Sequence, residues 1–427
     1  MLSILPLIFV VGYLAIALEE PLKIHKSATA LLLAVLCWIV LIYSNILPTE
    51  TVIHNLETHL SDISQILFFL IGAMTIVELI DAHKGFKIIT DFIQTANNKK
   101  LLWFISFITF FLSAVLDNLT TAIVMVSLLR KLIHDKNERI LFASMVIIAA
   151  NAGGAWTPIG DVTTTMLWIG GQISALNIMK MLFLPSLISL LIPLLYQTYF
   201  LKGNWETQKN IGTENFPPQH SEPGGQKIFW LGIGSLIFVP IFKTITHLPP
   251  YMGVIIGLAI LWIVTDLMHH KYEERTALRV FHALTRIDIA GVLFFLGILL
   301  AVAALETGGI LHQLAEWMQL HIGNNDIIVT VLGLLSAIID NVPLVAATMG
   351  MYDMNVYPMD AKIWEMIAYC AGTGGSILII GSAAGVVVMG MENISFKWYL
   401  KKISFPALLG YLGGVIAYLV IFSLLGK

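Results

Sequence analysis

The sequence predicts an all-α fold: a polytopic membrane protein of inverted structural repeats, with re-entrant helical hairpins and broken transmembrane helices. Three observations carry that reading: the composition, the spacing of the apolar runs, and a pattern of polar breaks that occurs twice. Of 427 residues, 57% are apolar and 12% charged, where a soluble domain is about a quarter charged. So few charges cannot solvate a water-soluble body of this size. The net charge of −3 is uninformative, because topology follows the placement of Lys and Arg rather than their balance with acids.

A spanning helix needs about 20 apolar residues. Runs at 1–18, 28–46, 63–81, 181–200, 228–246, 252–268, 288–305 and 404–425 qualify directly. The first has no basic leader and no small-residue cleavage site, so it reads as a membrane helix rather than a signal peptide. Four further stretches, 101–129, 140–176, 327–350 and 363–392, are apolar but interrupted by polar or glycine-rich segments. The polar stretch 201–227, with Pro217, Pro218, Pro223, Gly224 and Gly225, reads as a linker between halves at 1–200 and 228–427.

All 24 Lys and Arg except Lys180, Lys243, Lys362 and Lys427 fall in loops 21–27, 83–100, 130–139, 201–227, 269–287 and 393–403. The positive-inside rule makes those loops, the linker included, cytoplasmic and both termini external. Loops 47–62 and 306–326 carry acids and no Lys or Arg, as external loops would. Segment 101–129 then enters and leaves on the cytoplasmic side, and 327–350 does so from outside. With arms of about 12 residues or fewer, each hairpin tip is expected near mid-membrane.

The two tips match. Ser113-Ala-Val-Leu-Asp117-Asn118-Leu-Thr120 aligns with Ser336-Ala-Ile-Ile-Asp340-Asn341-Val-Pro343 at an offset of 223. A glycine-rich break follows each, from Asn151 through Gly153, Gly154 and Gly160 to Asp161, and from Gly372 through Thr373, Gly374, Gly375 and Ser376 to Ser382. A Phe-Phe-Leu run precedes each, at Phe68 and Phe294. The copies enter from opposite sides, so the repeat is inverted.

Irregular backbone at membrane depth survives only where protein buries it or it lines a cavity, and such breaks commonly frame a transport site. The tips carry Asp117 and Asp340, and the first break carries Asp161, Thr163 and Thr164. Hard cations prefer such oxygen donors, and no Lys or Arg lies within either motif. Asn118, Asn151 and Asn341 contact the ion in this reading, or else satisfy broken-helix backbone. A carboxylate that binds a cation also binds a proton, so competition at one site suffices for exchange. Asp117 and Asp161, if adjacent, titrate as a coupled pair. Glu78, inside the third run, is a candidate proton route. Asp161 faces Ser382 in the alignment, and Asn151 faces Gly372. The titrating pair is therefore expected in the first half, with mostly neutral ligands from the second.

The two blocks, Ser113 to Thr121 and Asn151 to Thr165, resemble the signatures of NhaD-type sodium/proton antiporters of the ion transporter superfamily, and the similarity spans essentially the whole chain. The resemblance implies exchange of Na⁺ or Li⁺ for H⁺ in a bacterial inner membrane and pH homeostasis favoured at alkaline pH. It also implies a homodimer and elevator-like movement of the hairpin-bearing part. Residue by residue it points to Asp117, Asp161, Thr163, Thr164, Ser336, Asn341, Thr373 and Ser376. Related dicarboxylate carriers place Ser-Asn-Thr at the tips. The Asp at both tips here argues against an oxyanion or dicarboxylate permease, the alternative reading.

Several residues have plainer expected roles. Cys37 and Cys370 read as packing residues, as does Trp156, and Asp81 reads as interfacial. Glu306 and Glu392 are expected to be solvated at helix boundaries. Most histidines are expected in loops, with His269 and His270 as weak candidates for pH sensing. Gly160-Asp161 and Tyr352-Asp353 are similar to the aspartate pairs of intramembrane proteases, but the order is reversed and a flanking glycine is missing. No enzyme, resident cofactor or nucleic-acid partner is expected; the partners are the ions and the lipid bilayer.

Overall fold

The structure is a computed structural model and describes residues 4–88, 97–133, 135–200, 224–270 and 273–424. Residues 201–223 of the expected linker lie outside the described residues. In chain order the helices are α1 (Ile4–Ala17), α2 (Glu19–Leu22), α3 (Lys26–Tyr43), α4 (Thr49–Ala82), α5 (Asn98–Leu116), α6 (Asn118–Leu132) and α7 (Lys136–Gly154). There follow α8 (Val162–Ile169), α9 (Ala175–Phe200), α10 (Gly225–Thr246), α11 (Pro250–His269), a short 3₁₀ turn (Glu273–Leu278), α12 (Val280–Leu284) and α13 (Ile289–Thr307). The remainder are α14 (Ile310–Ile322), α15 (Asn325–Leu335), α16 (Asn341–Met351), α17 (Lys362–Gly374), α18 (Ala383–Glu392), α19 (Phe396–Lys402) and α20 (Ser404–Leu424).

No strand occurs among the described residues, and eight of their helices are long and apolar enough to cross a membrane: α3, α4, α5, α9, α10, α11, α13 and α20. The chain is an all-α, multi-span membrane protein. Within the run at 1–18, Ile4–Ala17 form α1. Two expected loops need correction. The expected loop 47–62 is instead the first part of α4, whose 34 residues reach about 51 Å at 1.5 Å per residue. That exceeds a hydrocarbon core of about 30 Å, so the polar turns with Glu50, His54, Glu57 and Asp62 extend beyond it. Loop 306–326 likewise contains α14, which buries Leu311, Ala315 and Met318 on one face.

The two interrupted hairpins differ. α15 and α16 have 11 residues each, as expected of short arms. α5 and α6 have 19 and 15, longer than expected, because α5 begins in the polar residues Asn98, Lys99 and Lys100, ahead of the apolar run. Asn97 caps it by accepting from the Lys100 N–H.

Close helix contacts fix the breaks. A Cβ at Gly153 would lie 2.1 Å from the Phe110 carbonyl oxygen, and one at Gly374 would lie 2.0 Å from that of Gly333. In each case only glycine lets the broken helix seat against the first hairpin arm. Ser113 and Ser336 tie the same contacts, donating to Ala150 O at 2.6 Å and Ala371 O at 2.8 Å. Trp156 packs as expected, stacked on Phe110 and edge-on to Phe183, and Cys37 and Cys370 are buried free thiols.

The helices sort into two packed groups. α1, α3, α4, α10, α11 and α13 pack mainly on one another, and so do α5 to α9 with α15 to α18 and α20. The groups meet where α13 lies on α16, α4 on α8 and α10 on α5.

Candidate functional site

Four helix N-termini converge on one cavity between the two groups. Its lining includes Asp117, Asn118 and Thr120 at the start of α6, Asp161 and Val162 at α8, Asp340 and Asn341 at α16, and Ala383 at α18. The volume is about 70 Å³, room for a few waters or a partly hydrated small ion. The lining also takes in Lys26, Asp288 and Gly291, where α3 and α13 begin beside basic loops.

Asp161 sits at the centre. It caps α8 through Oδ1, which accepts from the Thr163 N–H and the Thr163 hydroxyl, both at 2.9 Å. Its Oδ2 accepts from Asn118 Nδ2 at 2.7 Å, and Asn341 Nδ2 lies 3.4 Å from both oxygens. Asn118 Nδ2 also donates to Asn151 Oδ1 at 3.0 Å. Asn151 Nδ2 donates in turn to Ser376 Oγ and Ser382 Oγ, each at 2.9 Å. Asp161, Asn118, Asn151, Asn341, Ser376 and Ser382 are all buried. One polar chain thus runs from the first break through Asn151 to the second.

The two tip aspartates differ in role. Asp117 caps α6, accepting from the Thr120 N–H and hydroxyl at 2.8 Å each. Its backbone has φ 98° and ψ 159°, a region that side chains rarely occupy and that costs about 1–3 kcal/mol. Asp340 makes no side-chain cap, and its Oδ1 is buried without a hydrogen-bond partner. The reason is local: where Asp117 finds the Thr120 N–H, the second copy has Pro343, which has no N–H.

Other sequence-predicted residues lie close by but turn elsewhere. Thr164 donates to Asp161 O at 2.9 Å and Thr373 to Tyr369 O at 2.6 Å. With Ser336 on Ala371, these three hydroxyls spend their protons on backbone carbonyls. Glu78 does not line the cavity; it pairs with Arg286 at 3.4 Å.

Two expectations about charged groups fail. Glu392 is not solvated: it is buried, with one oxygen 2.7 Å from Arg130 Nε and the other 2.7 Å from Arg139 Nε. Arg130 also donates to Met391 O. This clamp joins the end of α18 to the α6–α7 corner, and it looked like a loop acid only because its partners are remote in sequence. His269 is not in a loop either. It ends α11, fully buried, with Nε2 3.0 Å from Nε2 of His83.

Sequence reasoning missed Lys26, Asp288, Thr120 and Ser382 at the site. Ser382 caps α18 through the Gly385 N–H, and its alignment with Asp161 was the available signal. Lys26 and Asp288 sit at helix starts next to basic loops, where topology accounted for them.

The donor set favours a cation. Four carboxylates, at Asp117, Asp161, Asp288 and Asp340, line the cavity against one ammonium, at Lys26, and hard cations prefer such oxygen donors. The helix N-termini that begin there carry partial positive charge that offsets part of the carboxylate charge.

The citrate transporter family matches over residues 13–365. Sodium/proton antiporter 1 and sodium/proton antiporter 2 of Arabidopsis thaliana are 52% and 51% identical over 98% and 97% of the chain, which cover 72% and 98% of theirs. The Na(+)/H(+) antiporter NhaD of Vibrio cholerae is 31% identical over 97% of the chain and 91% of its own length. Fold and site therefore define a multi-span membrane protein of the citrate transporter class, whose named relatives are transporters and not enzymes. Within that class the chain belongs to the NhaD-type sodium/proton antiporter family.

Proposed function

We propose that the chain is a secondary transporter exchanging Na⁺ or Li⁺ for H⁺, with cation and proton competing for the cavity carboxylates. The observation that carries this is Asp161: a buried carboxylate at a helix break, oriented by both tip asparagines, in a cavity lined by three further aspartates. Asp161 and Asp117 take the cation or the proton in turn, with Asp340 Oδ1 and the Asn118 and Asn341 carbonyl oxygens completing an oxygen shell. Asn151, Thr163, Thr164, Ser336, Thr373 and Ser376 hold that shell in place. Sodium/proton exchange is what the names of the Arabidopsis thaliana and Vibrio cholerae relatives state for those proteins.

The same proposal holds that residues 1–200 and 228–427 are inverted repeats, in a homodimer whose hairpin-bearing group moves as an elevator. The division of packing into two helix groups supports that movement, and the lining by Lys26 and Asp288 supports a cavity open toward the basic-loop face. A bacterial plasma membrane fits the NhaD relatives. The Arabidopsis thaliana relatives leave a plant membrane as the competing location.

An anion permease is the second reading, favoured by the citrate transporter description of the family. A cavity of about 70 Å³ lined by four carboxylates speaks against a polycarboxylate. The test is the pH change that Na⁺ or Li⁺ induces in everted vesicles, for wild type and Asp161→Asn. The proposal expects a response that the variant loses. Citrate uptake without a cation response would establish the permease.

A further inference from the structure

The cavity holds one basic side chain, and the exchange reading does not use it. Lys26 opens α3, and its ammonium lies 4.8 Å from the centroid of the Phe294 ring, itself part of the cavity wall. Phe294 is buried, so its ring gives the ammonium a low-dielectric face to rest on. No ion pair anchors the Lys26 side chain among the described residues. Glu19 is engaged by its backbone N–H instead, at 3.1 Å. The surrounding charges are Asp117, Asp161 and Asp340 at the hairpin and broken-helix ends and Asp288 on α13. On α4, Glu78 is taken up by Arg286. The Asp340 carboxylate is within electrostatic range of the ammonium, and its Oδ1 is buried without a hydrogen-bond partner.

From this geometry we infer that Lys26 is a tethered competitor: its ammonium acts as the cavity's resident cation, opposing the transported one and speeding its release. A flexible four-carbon stem carrying a compact charge suits that role. With the site empty, the ammonium offsets the carboxylate charge. With Na⁺ bound, the two like charges repel and the stem swings toward the basic-loop face. Lys26 is thereby a specificity- and affinity-setting residue, and this role rests on the exchange reading proposed above.

The test is Na⁺-dependent proton flux in everted vesicles, with full-length wild type, Lys26→Gln and Lys26→Arg. Removing one positive charge from a partly hydrated cavity should lower the half-saturating Na⁺ concentration about three- to tenfold. It should also lower maximal turnover and move the pH profile to higher pH, because protons too are held more tightly. Lys26→Arg keeps the charge and should fall between wild type and Lys26→Gln in half-saturation, because its planar guanidinium is bulkier than the ammonium. Half-saturation unchanged or raised in Lys26→Gln, with only turnover lost, overturns the inference and makes Lys26 structural. Lys26→Cys provides an independent check in protein already folded in the membrane. Attaching an aminoethyl group to the thiol should restore wild-type half-saturation, whereas a neutral methylthio group should not; equal effects of the two also overturn the inference. Absence of any Na⁺ response in wild type contradicts the exchange reading itself, which separates the two failures.

Discussion

Asn118 Nδ2 lies 2.7 Å from Asp161 Oδ2, so the first hairpin tip meets the first helix break through its asparagine and not its aspartate. The same amide reaches Asn151, which bonds both serines of the second break. A charge-assisted contact of this kind is worth about 1.5–3 kcal/mol. Asn118→Ala should therefore raise half-saturating Na⁺ at least about tenfold in vesicle flux assays while leaving the protein folded. An unchanged half-saturation would mean that Asn118 serves only the backbone.

Pro343 should matter through the N–H it lacks. Pro343→Thr restores the donor that Asp117 enjoys at Thr120, and an N-cap is worth about 1 kcal/mol. Drawing Asp340 into capping should raise half-saturating Na⁺ about fivefold and raise the melting temperature in detergent. A variant that melts higher with unaltered Na⁺ dependence would place Asp340 outside the ion shell.

The Glu392 clamp predicts a stability effect without a selectivity effect. Glu392→Ala leaves Arg139 and Arg130 without their buried partner, a loss of about 3 kcal/mol for broken buried pairs. Arg130 is half-exposed and recovers some solvation. Thermal unfolding in detergent should show the drop, and the Na⁺/Li⁺ preference of whatever protein remains should be unchanged.

Two glycine substitutions should differ in sign. Gly153→Ala drives a methyl into the Phe110 carbonyl and should cost about 1–3 kcal/mol through overpacking. Gly234, within α10, has open space where a methyl would sit, with no neighbour within 4 Å. Gly234→Ala should therefore be neutral or stabilising by up to about 1 kcal/mol. Melting temperatures of both variants check the contrast.

Much of this architecture was legible in the sequence because hydropathy marks burial in lipid and Asp, Asn and Gly mark helix breaks. The breaks at Asp117, Asp161, Asp340 and Ser382 fall at the expected positions. What stayed hidden depends on contacts between distant segments. Hydropathy reports lipid contact and not helicity, so the polar turns of α4 at 49–62 passed for a loop. Glu392 passed for a solvated acid because Arg130 and Arg139 lie more than 250 residues away. That Asp117 and Asp340 differ could have been read from Thr120 against Pro343, since a missing N–H is written in the sequence. That Lys26 shares their cavity could not.

The central claim is that cation and proton exclude one another at the carboxylates around Asp161. The most direct measurement is half-saturating Na⁺ as a function of pH in everted vesicles. Competition fixes the sign: protons displace Na⁺, so half-saturating Na⁺ should rise as pH falls through the site's titration. For one competing proton the slope approaches about tenfold per pH unit, since a unit of proton activity is worth 1.36 kcal/mol. Half-saturating Na⁺ that stays constant across pH while flux persists would contradict the account.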